Sequence, residues 1–501
     1  MLPATTREAA RRFGERTAYI TDDGWTLTYA QLDAISDQVA CGLAERGVGE
    51  SDVVALVLPS GPEYLVAYLA AAKLGAITAG VNDRLAPGER AAVLDLASPR
   101  VALAAPDLAP TGHDAITVTR APDAETLLED LRGTGELPAL ADDPERPVAI
   151  IFTSGTTGTP RGALYCNRQL DFITRTDVGD SWDGGTRSFT GTSFAHLGFM
   201  TKLAGNLRRG GTSFIMTRWR AFDALALVER ERMVTVAGVP TQLALMLRHP
   251  ECDGFDLTSV HYLVVGGGPV TPGLAEEARA RFDARLATRY SCTEAGIGLG
   301  TAFDDPDEDA VVSVGRPHAS VELAVLDDHE RRVPDGDVGE VCLRSPAVMS
   351  GYWRDPDATR AAFTSAGFIR TGDLGWIDAE GRLRLVGRSK EMYVRGGYNV
   401  YPVEVESVLS THPDIAAVAV VPRHDAMMAE IGVAFVVPRV TGTPPTLESL
   451  RTHAARSVAP YKLPDDMRVV DALPLTAMEK IDRRALRARL ADDVPEPEGR
   501  R

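Results

Sequence analysis

A loop rich in small hydroxyl residues follows an apolar run at residues 150–162, Ile-Ile-Phe-Thr-Ser-Gly-Thr-Thr-Gly-Thr-Pro-Arg-Gly. Residues 148–152 have the length and β-branching of a buried strand. The loop supplies glycines for close backbone approach, hydroxyls and amides as hydrogen-bond donors, and the cation of Arg161. This pattern predicts a polyphosphate-binding loop after a strand. A polar loop that binds no ligand is the alternative.

The loop is not that of the large P-loop class of nucleotide triphosphatases. That class requires the pattern G-x-x-x-x-G-K-[ST], and counting from Gly155 puts Pro160 where the second glycine belongs. Phosphate binding by a different family is therefore predicted.

Composition describes an ordinary globular protein with an acidic surface. The chain has 501 residues, 44% of them hydrophobic and 25% charged, and its formal net charge is −17. This length allows two or more domains with cores of their own. The negative charge argues against nucleic acid or an anionic membrane as the main partner. A polyanionic ligand must then be held by local cations and backbone dipoles.

The cysteines predict neither a disulfide framework nor a zinc site. All five are scattered along the chain without a CxxC pair. The N-terminal sequence has no signal-peptide pattern, and the chain has no run of 18 apolar residues. We therefore expect a cytoplasmic protein without integral membrane contact.

Alternation of strand and helix patterns predicts an α/β fold with parallel sheets. The expected helices and strands before residue 300 are a strand at 26–29, a helix at 30–46, a strand at 53–57, a helix at 60–74, strands at 76–81, 214–216, 235–238 and 263–265, and helices at 223–231, 240–248 and 272–282. Residues 106–147, rich in Asp, Pro and Gly, are expected to form a surface connection.

Two changes of pattern predict further modules. Short alternating strands between residues 311 and 343 indicate a β-rich subdomain. From about residue 391, helices at 402–409 and 447–457 and strands at 416–421 and 433–437 indicate a small α+β domain. We expect a large domain at 1–389, a small domain at 390–490 and a disordered tail at 491–501.

Further motifs follow the loop along the chain. They are Val-Val-Gly-Gly-Gly-Pro at 264–269, Tyr-Ser-Cys-Thr-Glu at 290–294, Arg-Thr-Gly-Asp-Leu-Gly at 370–375, Gly-Arg-Ser-Lys at 387–390, Gly-Gly-Tyr-Asn-Val-Tyr-Pro-Val-Glu at 396–404 and Pro-Leu-Thr-Ala-Met-Glu-Lys-Ile-Asp at 474–482. Their types and order resemble the signatures of the AMP-forming adenylating superfamily, which includes acyl-CoA synthetases, amino-acid adenylation domains and beetle luciferases. The likeness runs from about residue 29 to residue 486, and it implies that the β-rich module is a distorted barrel.

The resemblance implies a nucleotide site that draws on all of these motifs. Tyr290 would stack on adenine, Thr293 would contact the AMP phosphate, and Glu294 would help to hold Mg²⁺, a hard cation suited to carboxylate oxygen. Asp373 and Arg388 would bind the ribose; a surface ion pair between them is the alternative. The implied nucleotide-binding residues are Thr153, Ser154, Gly155, Thr156, Thr157, Gly158, Arg161, Gly266, Gly267, Gly268, Tyr290, Ser291, Thr293, Asp373 and Arg388.

The small domain carries the implied hinge and catalytic lysine. Lys390 would be the hinge, and Gly397 would line the tunnel for a pantetheine arm, where a side chain would not fit. Lys480 would bridge the carboxylate and the α-phosphate during adenylation. Two positions depart from the family pattern: Arg161 stands where lysine is usual, and Glu479 stands where glycine is usual. An anion at 479 could draw Lys480 away or raise its pKa.

The segment Phe-Ala-His-Leu-Gly-Phe at 194–199 resembles the family segment whose histidine gates the acyl pocket. In members that activate α-amino acids a carboxylate stands near the position of Leu197, and this chain has no charge there. Small apolar walls favour a fatty, alicyclic or aryl acid. The alternative for His196 is a core histidine with satisfied hydrogen bonds. The implied pocket residues are His196, Leu197, Phe199, Val239, Gly266, Ala295 and Gly296.

The resemblance therefore implies an ATP-dependent ligase that forms an acyl-adenylate and transfers the acyl group to CoA, with Lys480, His196, Glu294 and Gly397 as its catalytic residues. One alternative acceptor is the phosphopantetheine of a carrier protein in secondary metabolism. A catalytically idle nucleotide- or acyl-binding homologue is the alternative from another class. The oligomeric state stays open, with a homodimer as one possibility.

Overall fold

In a computed structural model, which describes residues 1–153, 160–440, 442–477 and 479–492, the chain folds as a large α/β domain followed by a small α+β domain. The predicted disordered tail lies outside the described residues from 493 onward. No helix in the described ranges is long and apolar enough to cross a bilayer.

The described part of the chain is organised around five sheets. The strands of the large domain are β1 (Thr17–Ile20), β2 (Thr26–Thr28), β3 (Val53–Val57), β4 (Ile77–Gly80), β5 (Val101–Ala104), β6 (Ala115–Thr117), β7 (Pro147–Thr153), β8 (Arg161–Cys166), β9 (Arg187–Thr190), β10 (Thr212–Ile215), β11 (Thr235–Gly238), β12 (Tyr262–Gly266), β13 (Arg285–Tyr290), β14 (Leu299–Gly300), β15 (Arg316–Pro317), β16 (Glu322–Leu326), β17 (Gly339–Arg344), β18 (Gly351–Tyr352), β19 (Ile369–Ile377) and β20 (Leu383–Arg388). Those of the small domain are β21 (Tyr393–Arg395), β22 (Tyr398–Val400), β23 (Ile415–Asp425), β24 (Ala429–Pro438) and β25 (Asp466–Val469).

Helices cover the faces of these sheets. In the large domain they are α1 (Leu2–Phe13), α2 (Tyr29–Glu45), α3 (Pro62–Lys73), α4 (Pro87–Ala97), α5 (Asn167–Val178), α6 (Leu197–Met200), α7 (Leu203–Arg209), α8 (Ala221–Glu231), α9 (Pro240–Leu247), α10 (Pro272–Phe282), α11 (Asp309–Val312) and α12 (Pro356–Ala362). In the small domain they are α13 (Pro402–Leu409), α14 (Leu447–Ala454) and α15 (Arg483–Asp492).

The central sheet has seven strands in the order β18-β8-β7-β4-β3-β5-β6. Strands β7, β4, β3, β5 and β6 run parallel, as the strand–helix alternation predicts, while β8 and β18 add antiparallel strands at one edge. Helix α3 packs against this sheet and is buried along its whole length. An apolar helix with no polar face belongs inside a core, so this helix marks the centre of the large domain.

Three further sheets complete the large domain. One has the order β2-β1-β10-β9, another β11-β12-β13-β14-β15, and the β-rich module is an antiparallel sheet in the order β16-β17-β19-β20. The small domain packs α13 and α14 on the sheet β22-β21-β24-β23, with β25 beside β24. The last strand of the large domain ends at Arg388, and the first of the small domain begins at Tyr393.

Two local predictions are wrong. Tyr29 does not extend the strand at 26–29, because Thr28 and Gln31 form a reciprocal capping box that starts α2 at Tyr29. Residues 106–147 are more than a surface connection. They contribute β6 to the central sheet and bury Leu127 and Leu131 in the core, which their polar composition conceals.

Candidate active site

The predicted phosphate loop is framed by a hairpin. Thr153 ends β7 and pairs with Arg161, which begins β8, so the two strands hold both ends of the loop at fixed separation. Ser154, Gly155, Thr156, Thr157 and Gly158 lie outside the described residues. The Arg161 side chain is exposed, and its guanidinium carbon lies 5.3 Å from the centre of the Tyr352 ring.

Tyr352 links this hairpin to the predicted metal ligand. Tyr352 lies on β18, which pairs with β8 of the hairpin. Its hydroxyl donates a hydrogen bond to Glu294 Oε1 at 2.8 Å. Burial and then the Glu294 carboxylate raise the pKa of Tyr352, so its hydroxyl keeps its proton and remains a donor. Tyr352 lies outside the family motifs, and no pattern in the sequence pointed to it.

The predicted ribose residues meet on neighbouring strands. Asp373 and Arg388 are register partners on β19 and β20, and Arg388 Nε donates to Asp373 Oδ1 at 3.0 Å. Tyr290, at the end of β13, donates its hydroxyl to Asp373 Oδ2 at 2.7 Å. The ion pair that was the alternative interpretation is present. Because a carboxylate offers about four lone-pair sites, the pair still leaves room for ribose hydroxyls.

The glycine turn after β12 forms an open surface. A Cβ atom on Gly266 would lie 2.7 Å from the Arg289 carbonyl oxygen, so no side chain fits there. Gly267 has a φ of +81°, in the left-handed region, and both Gly267 and Gly268 are exposed. Such a bare backbone fits the flat adenine ring that the resemblance implies.

The two remaining nucleotide residues, Ser291 and Thr293, are half-buried after β13. The carbonyl of Thr293 accepts a hydrogen bond of 2.5 Å from the Tyr165 hydroxyl on β8. The hydroxyl of Ser291 donates to the Cys292 carbonyl at 3.2 Å. The segment is therefore tied to the central sheet by its backbone.

Lys480 is near enough to the predicted ribose residues and to His196 for their charges to affect one another. Burial lowers its pKa, the Arg388 cation lowers it further, and the Asp373 carboxylate opposes both. In turn, the Lys480 charge is one cause of the lowered pKa of His196. The Lys480 side chain is exposed to solvent. The two domains thus bring the lysine and the predicted acid site together.

His196 is neutral and oriented. Burial, and then the cations of Lys480 and Arg84, lower its pKa to about 4. Asn82 Oδ1 accepts from the Arg84 backbone N–H at 2.9 Å, which directs the Asn82 amide nitrogen at His196 Nε2, also at 2.9 Å. This network assigns Nε2 as the acceptor and leaves the imidazole proton on Nδ1.

The predicted acyl-pocket residues divide into two layers. His196, Leu197 and Gly266 keep partly exposed surfaces. Phe199, Val239 and Ala295 are buried, and the Phe199 ring stacks on Phe194 with centroids 3.6 Å apart, so this layer supports the wall from behind. Gly296 has a φ of +73°, and a Cβ atom there would overlap the Ala347 carbonyl.

Glu479 does not draw Lys480 away, as its sequence position had suggested. Its Oε1 accepts from Arg84 Nη1 at 2.7 Å, and its Oε2 accepts from Gln242 Nε2 at 2.7 Å. Its φ of +58° is left-handed, which costs a residue with a Cβ about 1–2 kcal/mol and explains why glycine would suit this position. Both partners belong to the large domain, and the motifs identified neither of them.

The predicted hinge and tunnel residues lie outside this cluster of contacts. Lys390 is exposed in a single 3-10 turn, Ser389–Glu391, between β20 and β21. Gly397 and Gly396 form the two-residue turn between β21 and β22, with φ values of +88° and +56°, as a type I′ hairpin requires. No described heavy atom lies within 4 Å of where a Gly397 Cβ would be, so this glycine faces open space here.

Sequence comparison decides the family. Residues 6–353 match the AMP-binding enzyme family, and residues 404–480 match the AMP-binding enzyme C-terminal domain. The chain belongs to the AMP-binding enzyme family. Curated relatives that resemble the chain include acid–thiol ligases, and the chain is an adenylate-forming ligase of this kind.

Individual family members match over nearly the whole chain. A 3-[(3aS,4S,7aS)-7a-methyl-1,5-dioxo-octahydro-1H-inden-4-yl]propanoyl:CoA ligase of Mycobacterium tuberculosis (strain ATCC 25618 / H37Rv) is 34% identical, covering 97% of this chain and 98% of its own. A fatty acid–[acyl-carrier-protein] ligase of Streptomyces coeruleorubidus is 31% identical, covering 95% and 94%. The structure of o-succinylbenzoate CoA synthetase from Bacillus subtilis, in complex with its acyl-adenylate intermediate, matches with a TM-score of 0.81 at 27% identity, covering 99% of each chain.

Proposed function

We propose that the protein converts a hydrophobic carboxylic acid to its CoA thioester in two half-reactions. Acid and ATP give acyl-AMP and pyrophosphate; acyl-AMP and CoA then give acyl-CoA and AMP. The observation that carries the proposal is that Glu479, the neighbour of Lys480, binds Arg84 in the segment that orients His196, and that the charges of Asp373 and Arg388 also act on Lys480. In the proposed reaction, the Lys480 cation lies where the carboxylate would meet the α-phosphate.

In the first half-reaction a carboxylate oxygen of the acid attacks the α-phosphorus, and the bond from that phosphorus to the bridging oxygen of pyrophosphate breaks. Lys480 offsets the negative charge that is brought together in the transition state. Asp373 and Arg388 hold the ribose, while Arg161 holds the departing pyrophosphate. Since His196 is neutral, it can stand beside the acid without competing for its charge.

Magnesium fits the site only with help from the substrate. Within the described residues no group of three His, Cys, Asp or Glu side chains could hold a metal ion. Glu294 keeps a second carboxylate oxygen beyond the one that Tyr352 binds, and Mg²⁺ commonly takes one or two carboxylates plus phosphate oxygens and water. When bound, the ion would neutralise phosphate charge.

In the second half-reaction the CoA sulfur attacks the acyl carbon and AMP leaves. We propose that the small domain, residues 390–490, rotates against residues 1–389 about Lys390, which withdraws Lys480 and brings Gly397 to the thiol path. The exposed 3-10 turn at the hinge and the open hairpin tip at Gly397 support this motion.

The acid that we propose is fatty, alicyclic or aryl, and not an α-amino acid. Leu197, Gly198 and Phe199 offer no counter-charge to an ammonium group. The relatives point the same way, because one acts on a bicyclic propanoic acid and another on a fatty acid. Burial of such a group is favoured by about 25 cal/mol per Å² of apolar surface.

A carrier-protein thiol is the second candidate acceptor. The likeness to a fatty acid–[acyl-carrier-protein] ligase favours it, and the same phosphopantetheine arm would reach the Gly397 hairpin in either case. We place both reactions in the cytoplasm, where ATP and CoA are available.

A screen of acids tests the proposal directly. Pyrophosphate release is measured with ATP and a panel of fatty, aryl and alicyclic acids, with α-amino acids as the matched negative set. Acceptors are then compared by thioester formation with free CoA and with acyl-carrier proteins at equal thiol concentration. Release by at least one hydrophobic acid and none by amino acids is expected. ATP binding without acid-dependent release would indicate the idle homologue instead.

A further inference from the structure

Three side chains join the small domain to the large domain directly beside the catalytic lysine. The carboxylate of Glu479 is held by Arg84 on one oxygen and by Gln242 on the other, each at 2.7 Å. We call Glu479, Arg84 and Gln242 the Glu479 clamp. The Glu479 side chain is 17% exposed and that of Arg84 is 35% exposed, so the pair is shielded but still open to water at one side.

The hydrogen bonds of the Gln242 amide determine which of its two polar atoms faces Glu479. Its Oε1 accepts from the Val239 backbone N–H at 3.1 Å, so its Nε2 must point the other way. That nitrogen donates one proton to the Gly191 carbonyl and the other to Glu479. Gln242 is buried, and a buried donor needs an acceptor. The carboxylate of Glu479 is the acceptor for the second proton of Gln242 Nε2.

Arg84 connects the clamp to the acid site. Its side chain binds Glu479, and its backbone N–H binds the Asn82 amide that orients His196. One three-residue segment, 82–84, therefore positions the histidine and also holds the residue before Lys480. These hydrogen bonds connect the loop that carries Lys480 to His196.

We propose that Glu479 is a positioning residue that holds the Lys480 loop on the large domain for adenylation and must be released before the thiol step. The inference rests on the proposed two half-reactions. Glu479 adopts a strained left-handed backbone, and such a conformation persists only where its surroundings hold it. Glycine, usual at this position in the family, would avoid the strain but could not make either contact. The clamp thus favours the adenylating arrangement in this chain.

Two more contacts across the same interface supply matched controls. Arg439 of the small domain pairs with Glu277 of α10 at 3.3 Å. Arg248, on the large domain, donates to the Ala416 carbonyl. Neither contact includes residues of the Lys480 loop. Loss of Arg439 tests domain docking in general, whereas loss of Glu479 tests the position of the lysine.

The experiment measures both half-reactions separately in the full-length protein. Glu479→Gly should lower kcat for acid-dependent pyrophosphate release by roughly 5- to 30-fold, as expected for the loss of hydrogen bonds to a charged group. The KM for ATP should change less than about twofold, and thiol-dependent consumption of supplied acyl-AMP should be equal or faster. Glu479→Gln, which keeps the size and an acceptor oxygen, should recover part of the loss.

Two further measurements separate the clamp from a general weakening of domain docking. Arg84→Gln should lower adenylation in the same sense, and the double variant with Glu479→Gly should lose little more than either alone. Arg439→Gln should leave the ratio of the two half-reaction rates unchanged. Equal effects of Arg439→Gln and Glu479→Gly, or undiminished adenylation by Glu479→Gly, would overturn the proposal. If the unaltered protein releases no pyrophosphate with any acid, the proposed function itself fails.

Discussion

The proposed ribose pair, Asp373 and Arg388, and the proposed catalytic lysine, Lys480, are held in place in opposite ways. Asp373 and Arg388 face each other on adjacent strands of one antiparallel sheet, so backbone hydrogen bonds set their spacing. Lys480 lies on a loop closed by a bridge between Leu475 and Ile481 and is held to the large domain by the side chain of its neighbour. In the proposed mechanism, the groups needed in both half-reactions are thus built into a sheet, whereas the group needed in one lies on a loop that side chains hold in place.

Removal of the Lys480 side chain should have the largest effect of the predicted changes, and it should act on one half-reaction only. Lys480→Ala should slow adenylation by roughly 10²-fold or more, by analogy with the loss of one preorganised donor in a transition state. Consumption of supplied acyl-AMP by the thiol should be spared, because the loop has then withdrawn. Rapid-quench assays of each half-reaction would check this. An equal fall in both would show that Lys480 has another role.

Loss of the ribose carboxylate should affect both half-reactions. In Asp373→Asn the amide cannot replace the charge that faces Arg388 and would hold the ribose. We expect roughly 10- to 100-fold lower kcat/KM for ATP and a comparable loss of affinity for acyl-AMP. Calorimetric binding of ATP and a thermal unfolding curve would separate lost binding from lost folding. A defect in the thiol step alone would contradict a ribose role.

Blocking the hairpin tip should affect only the thiol step. Gly397→Leu should lower thioester formation by about tenfold and leave pyrophosphate release intact. Gly367→Leu is the matched control, since Gly367 also has a positive φ, +77°, and faces open space. Both variants carry the same backbone strain, about 1–2 kcal/mol. Unimpaired thioester formation by Gly397→Leu would exclude the tunnel assignment.

The smallest expected effect concerns the protonation of His196, whose pKa the Lys480 charge helps to lower. The folded-state pKa of His196, about 4, lies below its ordinary 6.5, so the unfolded chain binds the extra proton first. Stability should therefore fall by about 1 kcal/mol more than in His196→Gln as the pH drops from 6.5 to about 5.5. Denaturant unfolding of both proteins across this range measures the difference.

Because the Lys480 charge contributes to this lowering, Lys480→Ala should raise the pKa of His196. An NMR titration of the imidazole would report the change. An unchanged pKa in that variant would place the lysine farther from the acid site.

Local patterns predicted the fold class, and the motif residues Tyr290, Asp373 and Arg388 contact each other, because strand ends and tight turns carry short-range signals. Asp373 and Arg388 were paired from their motifs and are register partners. The contacts that the sequence could not reveal join distant segments: Glu479 meets Arg84 395 positions away and Gln242 237 positions away. Such contacts depend on how two domains dock, which no local periodicity encodes. Tyr352 escaped notice for a different reason, because β18 has only two residues and pairs with a strand far away in the sequence.

Cys292 follows Ser291 in the nucleotide segment and has a consequence for the assay chemistry. Burial, and then Glu294 and Asp373, raise the pKa of this thiol, and the other four cysteines are buried and free. Since only the thiolate is an efficient nucleophile, the enzyme's own sulfurs should react slowly with colorimetric disulfide reagents near neutral pH. The CoA thiol that remains can therefore be titrated in samples withdrawn at intervals, with native stoichiometric enzyme present and little background from the protein.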